Sequence, residues 1–288
     1  MPIAVVTGAS GYVGSGLVTV MERHGWQVRS LVRERVPYLD DHQVALDLTR
    51  DTGILAEAVD GADVVVHLAG DNEGAAQDHT ALVTENLARL LEATDVKRVV
   101  YMSTVHVYGR RIVEGATLTE EVRPEPQHPY AASRLASEHF LGSLRGAGRD
   151  VVVFRATNTV GAPLHPEVDR WSLVTNDLSR QGAVSGRLEL RSSGVQWRDF
   201  VAVRDVREML AAAARFDDPQ VPDGTYNVGS GTPVTVREVA GLVQDAFERA
   251  TGSRPELHAP EPGGERPEPY RVSVEAAARH GLRAVTPL

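Results

Sequence analysis

Ile3-Ala4-Val5-Val6-Thr7-Gly8-Ala9-Ser10-Gly11-Tyr12-Val13-Gly14 is the stretch whose reading decides the fold. Residues 3–6 form an apolar run of strand type. Beyond the glycines Leu17, Val18, Val20 and Met21 recur at helical spacing, so a glycine-rich turn joins a strand to a helix. The unpaired N–H groups in the first turn of such a helix can hold a pyrophosphate. Gly8 suits the tight turn, Gly11 admits a phosphate close to the backbone, and Gly14 lets the helix lie near the sheet. Ser10, Tyr12 and Val13 share the turn and are candidate contacts of the same ligand. Taken alone, the pattern also fits an ordinary strand-to-helix turn, and the rest of the chain must separate the two.

The chain has 288 residues, enough for one large α/β domain or two unequal lobes. It contains no cysteine, which excludes disulfide frameworks, thiolate metal sites and thiol nucleophiles. A formal net charge of −9 argues against a nucleic-acid partner. No apolar stretch approaches the roughly twenty residues a membrane span needs. Met1-Pro2 leads straight into the first strand, so a soluble, unprocessed, cytoplasmic protein is expected.

A second strand, Gln27–Val32, ends Leu31-Val32-Arg33, where a dinucleotide fold meets the adenosine ribose. An acidic residue there would suit NAD(H). Arg33, with Arg35 as second candidate, suits a 2′-phosphate, so NADP(H) is favoured over NAD(H); solvated loop arginines are the bland alternative. Val44–Leu48 follows and contributes Asp47 and Leu48 as further candidate cofactor contacts. After a helix at Ile54–Val59, Val64–Leu68 reads as a buried strand. Leu68, Ala69 and Gly70 follow His67 there, and the small residues would let the cofactor pass closely. His67 itself reads as a structural core histidine. An amphipathic helix over Thr80–Thr94, with Leu82, Val83, Leu87, Leu90 and Leu91 apolar, precedes the strand Arg98–Ser103. The alternation implies an α/β fold with a doubly wound parallel sheet, whose ligands bind at the carboxyl ends of the strands. The glycine turn, Arg33, Ala69-Gly70 and Ser103-Thr104 all fall at that edge.

Chemistry concentrates in Ser103-Thr104-Val105-His106-Val107-Tyr108-Gly109 and in the helix beginning Pro129-Tyr130-Ala131-Ala132-Ser133-Arg134. Tyr130 and Arg134 are four apart and share a helix face. A cation beside a phenol favours its proton exchange with a substrate hydroxyl or carbonyl, and Thr104 can supply a second hydrogen bond to that oxygen. Together with Arg155-x-x-Asn158, Arg198-Asp199-Phe200-Val201, Asp205-Val206 and Gly224–Gly231, these motifs resemble the extended short-chain dehydrogenase/reductase family. That group holds NAD(P)-dependent epimerases, dehydratases and reductases that act largely on nucleotide sugars.

The resemblance implies a Rossmann-type sheet in residues 1–160, to which 199–230 returns, and a mainly substrate-binding lobe in 161–288. It makes Tyr130 the general acid/base, Thr104 the hydroxyl that polarises the carbonyl, and Arg134 the cation at the nicotinamide ribose. Arg198 and Arg266 match positions that hold a diphosphate, while Asn158, Asn176 and His106 are candidate substrate contacts. Arg134 stands where the family normally has lysine, and guanidinium is wider and does not give up its proton. Val105-His106 occupies the place of the Asp-Glu pair of 4,6-dehydratases, which disfavours dehydration. NADPH-dependent reduction of a keto group on a nucleotide-linked sugar is the leading expectation. Nucleotide-sugar epimerisation is the second reading, and a dinucleotide-binding regulator with impaired catalysis the third. A small substrate lobe and a homodimer are also expected by resemblance.

Overall fold

The computed structural model describes residues 1–39, 41–70, 77–146, 148–215, 221–264 and 267–288. Its first half runs β1 (Ile3–Thr7), α1 (Gly14–Arg23), β2 (Gln27–Val32), β3 (Gln43–Ala45), α2 (Thr52–Val59), β4 (Val64–His67), α3 (Gln77–Leu91) and β5 (Arg98–Thr104). A 3-10 helix (Val105–Arg111) follows, then β6 (Thr117–Leu118), α4 (Pro129–Gly142), β7 (Asp150–Ala156) and β8 (Asn158–Val160). The second half adds α5 (Val174–Ser185), β9 (Arg187–Glu189), β10 (Trp197–Ala202), α6 (Val203–Ala214), β11 (Gly224–Val228) and β12 (Pro233–Thr235). It closes with α7 (Val236–Thr251), β13 (Glu256–His258), β14 (Arg271–Val272) and α8 (Glu275–Arg279).

Seven strands form one sheet in the order β11-β7-β5-β4-β1-β2-β3, and the neighbouring strands are parallel. Both faces are covered, which is why the strands read as unbroken apolar runs. Ala4, Val6, Val64, Val66, Val152 and Phe154 pack on one side against Leu17 and Met21 of α1 and Val206 and Leu210 of α6. On the other side Val5, Val65, Val99, Tyr101 and Val153 meet Leu55, Leu87, Leu91 and Leu141 from α2, α3 and α4. Leu82 departs from the expected apolar face of α3, at 42% exposed, because the buried stripe runs through Val83, Leu87 and Leu91.

Strand order reverses at β1, with β2 and β3 on one side and β4 and β5 on the other. The glycine turn emerges at this switch point, where open α/β sheets bind ligands. β11, α6 and α8 belong to the same large core, since Val206, Val228, Ala277 and Leu282 all pack within it. The smaller elements lie beside it as the three-stranded set β12-β10-β8 and the pairs β13-β9 and β14-β6. α5 and α7 close over Leu188 through Leu178 and Ala240. Among the described residues no helix is long and apolar enough to cross a membrane, and no cluster of potential metal ligands occurs.

Candidate active site

The glycine turn owes its shape to close backbone contacts. Gly8 has φ +67°, and a Cβ there would lie 2.8 Å from the Ala69 nitrogen; at Gly14 it would lie 2.3 Å from the Gly8 carbonyl oxygen. Thr7 accepts hydrogen bonds from the Leu68 and Ala69 N–H groups through Oγ1, both at 3.2 Å, which locks the ends of β1 and β4 together. Among the described residues no side chain caps α1, and no acidic residue lies in its first turn, so its positive end is open to an anion. A cradle closed to side chains beside an uncapped helix start fits the pyrophosphate of a dinucleotide.

The turn opens into a cavity of about 590 Å³. Gly8, Ser10, Gly11, Tyr12, Val13 and Gly14 line it together with Arg33, Asp47, Leu48, Leu68, Ala69 and Gly70, and its far end is lined by Thr104, His106, Tyr130, Arg134 and Asn158. Asn176 and Arg198 lie outside that lining. Asn176 is buried and donates through Nδ2 to the Arg170 carbonyl at 3.1 Å. Arg198 donates to the carbonyl of its neighbour Trp197 at 2.7 Å, and its charge reaches His106 and Tyr270. Arg266 lies outside the described residues.

At the chemical end, α4 starts with Pro129 at its first turn and presents Tyr130 and Arg134 one turn apart. The Arg134 guanidinium carbon lies 5.3 Å from the Tyr130 ring centroid, a cation–π arrangement. Arg134 is 5% exposed, and a Cβ at Gly70 would come within 3.2 Å of both its terminal nitrogens. The bare backbone of Gly70 therefore makes room for the wider guanidinium. Burial opposes its charge, but the phenols of Tyr101 and Tyr130 more than offset this and hold its pKa above the ordinary value. Its Nε is buried and has no hydrogen-bond partner among the described residues. Thr104 is 6% exposed, and its Oγ1 accepts the His106 N–H at 3.3 Å, which caps the 3-10 helix and leaves the hydroxyl proton for a ligand oxygen. Burial pushes the His106 imidazole below its usual pKa, and Arg198 and His128 add to the effect.

Behind Arg134 lies a buried polar chain. His67 Nδ1 pairs with Thr7 Oγ1 at 2.7 Å and Nε2 with Thr84 Oγ1 at 3.0 Å, while Thr84 also meets Ser137 Oγ at 2.8 Å. Thr84 donates to the Thr80 carbonyl, so the network places the imidazole proton on Nε2, and Nδ1 accepts from Thr7. Burial, with Arg134 nearby, drives the His67 pKa down to about 3. It is a neutral structural histidine.

The motifs quoted from the sequence converge in a second buried chain. Ser103 donates to Glu138 at 2.5 Å, and Glu138 pairs with Arg155 at 2.7 Å. Arg155 donates to the Tyr108 hydroxyl at 3.2 Å, which in turn donates to Asn227 Oδ1 at 2.7 Å. Asp199 accepts from the Ser230 N–H at 2.9 Å, while Asp205 accepts from Val285 and Thr286 and ties down the end of the chain. Glu138, Arg155, Tyr108 and Asn227 brace the strand carrying Thr104 through Ser103 and lie outside the cavity lining.

The sequence reading missed Arg207, Tyr38 and the segment 161–173. Arg207 on α6 donates to the carbonyls of Tyr12 at 2.5 Å and Val13 at 3.1 Å, and Gly16 leaves space for its guanidinium. Tyr38 donates to the Ser10 carbonyl at 3.0 Å and stacks on His165 with ring centroids 4.4 Å apart. Tyr12 donates to the Gly161 carbonyl at 2.6 Å. Only the glycine at position 16 hinted at a close neighbour.

Fold and site together define a dinucleotide-dependent enzyme of the Rossmann type. The NAD dependent epimerase/dehydratase family matches residues 4–229, and the chain belongs to that family, within the extended short-chain dehydrogenases/reductases. It is 26% identical to UDP-glucose 4-epimerase 4 of Oryza sativa subsp. japonica, over 96% of this chain and 83% of the rice protein. It is 31% identical to GDP-6-deoxy-D-mannose reductase of Pseudomonas aeruginosa, over 64% of this chain and 62% of that protein. Among solved structures, MoeE5 in complex with UDP-glucose and NAD superposes with a TM-score of 0.81 at 26% identity, covering 99% of this chain and 94% of that one.

Proposed function

We propose that this enzyme is an NAD(P)-dependent epimerase of a nucleotide-linked sugar, inverting a hydroxyl-bearing carbon of the ring by transient oxidation. The observation that carries this reading is the packing of residues 161–173 onto the glycine turn, through Tyr12 to Gly161 and Tyr38 to His165. A dinucleotide held by the turn would lie beside this packed segment, which suits a reaction that needs no exchange of cofactor between its two halves. Similarity to a UDP-glucose 4-epimerase over 96% of the chain supports it, and makes a UDP-linked hexose the first substrate to try.

When bound, the dinucleotide supplies reversible hydride exchange with the sugar carbon. Tyr130 takes the hydroxyl proton as that carbon becomes a carbonyl and returns it when the carbonyl is reduced from its other face. Thr104 donates to the same oxygen, while Arg134 keeps a fixed positive charge beside the Tyr130 ring. Val105-His106 places no carboxylate pair next to Thr104, so dehydration has no acid–base couple there.

A second reading, NADPH-dependent reduction of a keto-sugar, has its own support. Arg33 is exposed at the cavity where β2 ends, a position suited to a 2′-phosphate, and the Pseudomonas aeruginosa relative is named as a reductase. Release of the bound dinucleotide from purified protein, with NMR of UDP-hexoses after incubation, separates the two. Retained cofactor and an epimerised product without net NAD(P)H consumption are expected. Stoichiometric NADPH oxidation on a keto-sugar would sink the epimerase reading in favour of the reductase. An inactive wild type that also stays inactive as Arg134→Lys, with dinucleotide still bound, would point to a regulator.

A further inference from the structure

Among the described residues three arginines line the cavity: Arg33, Arg134 and Arg170. Arg33 sits where β2 ends and Arg134 beside Tyr130, at the two ends of the site. Arg170 belongs to neither end. It is carried by the segment 161–173, and its charge acts on Tyr12 in the middle of the glycine turn. Burial pushes the Tyr12 hydroxyl up to about 12, while Arg207, Asn176 and Arg170 work against that rise.

The backbone that presents Arg170 is pinned. Asn176, buried at 5% exposure, donates to the Arg170 carbonyl at 3.1 Å, and Val168, likewise 5% exposed, packs with Tyr12 and Val203. The Tyr38–His165 stack fastens the segment at its other end to the loop after β2. The Arg170 guanidinium itself makes no hydrogen bond or ion pair with the described residues. Glu167 and Asp169 line the same cavity, but Glu167 acts on Tyr38 and Asp169 accepts the Trp171 N–H at 3.4 Å.

From this placement we propose that Arg170 is a diphosphate-binding residue, delivered over the glycine turn by the segment 161–173 to complete a site whose other half is the uncapped start of α1. The helix supplies N–H donors and partial positive charge, and Arg170 supplies a full charge from another part of the same cavity wall. This rests on the dinucleotide-dependent reading given above. Two ligands of the reaction carry a diphosphate, the dinucleotide and the nucleotide sugar, and the same guanidinium chemistry serves either. The test therefore measures both.

NADH and NADPH binding to the full chain is followed by fluorescence, and UDP binding by calorimetry, for wild type, Arg170→Gln and Arg170→Lys. Loss of one charge-assisted contact raises Kd about tenfold in Arg170→Gln. Arg170→Lys recovers part of this, and the dependence of Kd on salt becomes shallower in the Gln variant. Weakening confined to NAD(P)H assigns the cofactor diphosphate; weakening confined to UDP assigns that of the sugar nucleotide. Unchanged affinity for both ligands, with an unchanged melting temperature, overturns the proposal. A second arm tests the pinning: His165→Ala is expected to speed dinucleotide release severalfold, and an unchanged rate removes the Tyr38–His165 stack from the site. Wild type that binds neither dinucleotide would instead overturn the cofactor reading, and the UDP arm would still decide the role of Arg170.

Discussion

The glycine turn at residues 8–14 and the segment 161–173 that packs on it form two walls of one cavity by opposite means. The turn works through what it lacks: side chains at Gly8 and Gly14 would strike backbone atoms. The segment works through what it carries: Val168 packs with Tyr12 of the turn, Arg170 acts on Tyr12 through its charge, and His165 stacks on Tyr38 beside it. A wall of bare backbone has one solution and little tolerance. A wall of side chains can be retuned a residue at a time, so specificity is expected to be adjusted there while the turn stays fixed.

This contrast can be sharpened or broken by substitution. The largest effect is expected where the walls meet the chemistry: Tyr130→Phe should lower kcat by about 10²–10³-fold while leaving dinucleotide affinity nearly intact, read by steady-state kinetics beside a binding titration. Equal loss in binding would mean that Tyr130 serves the cofactor wall instead. Next in size, Gly14→Ala puts a methyl group 2.3 Å from the Gly8 carbonyl oxygen. It should destabilise the fold by about 2–3 kcal/mol in urea unfolding and abolish cofactor retention. A well-folded, cofactor-loaded Gly14→Ala protein would erase the claim that the turn has one solution.

A smaller, pH-dependent effect should come from His67. Its folded-state pKa of about 3 lies below the 6.5 of a free imidazole. Between those values the unfolded chain binds a proton that the folded chain refuses. Stability from the neutral imidazole is therefore full above about pH 6.5 and is lost as pH falls towards 3, by about 1.4 kcal/mol per unit at the steepest. His67→Asn should start less stable at pH 7 and lose less on acidification from pH 6 to 4, measured by denaturant unfolding at each pH. The smallest effect belongs to Arg33→Ala. Arg33 is solvent-exposed, and its loss should weaken NADPH about fivefold without changing NADH, an effect of about 1 kcal/mol. Equal affinities before and after would remove the case for a 2′-phosphate contact.

Much of the sheet was legible because its signals are local. Runs such as Val64-Val65-Val66 and the spacing of Leu17, Val18 and Met21 announce elements that fold on their own neighbours. Thr104 and the glycines were read in the same way, each within a few residues of a strand end, and Tyr130 from the start of a helix. Arg207 escaped because its target lies 194 residues away and its own helix shows only an amphipathic pattern. Tyr38, His165 and Arg170 escaped for a related reason: they lie in irregular segments with no period to betray which side faces the cavity. The Arg155 and Asn227 motifs were visible, but their function as a buried brace behind Thr104 depends on pairings with Glu138 and Tyr108 that no spacing reveals.

The bond from Arg207 to the Tyr12 and Val13 carbonyls also bears on the moment at which the protein becomes competent during synthesis. The turn leaves the ribosome ahead of the guanidinium that braces it, which follows 194 residues behind Val13. At about 5–20 residues per second, that delay is on the order of ten to forty seconds. Through that interval the turn stands without the brace that Arg207 gives it, so its folded shape is complete only once α6 has been made.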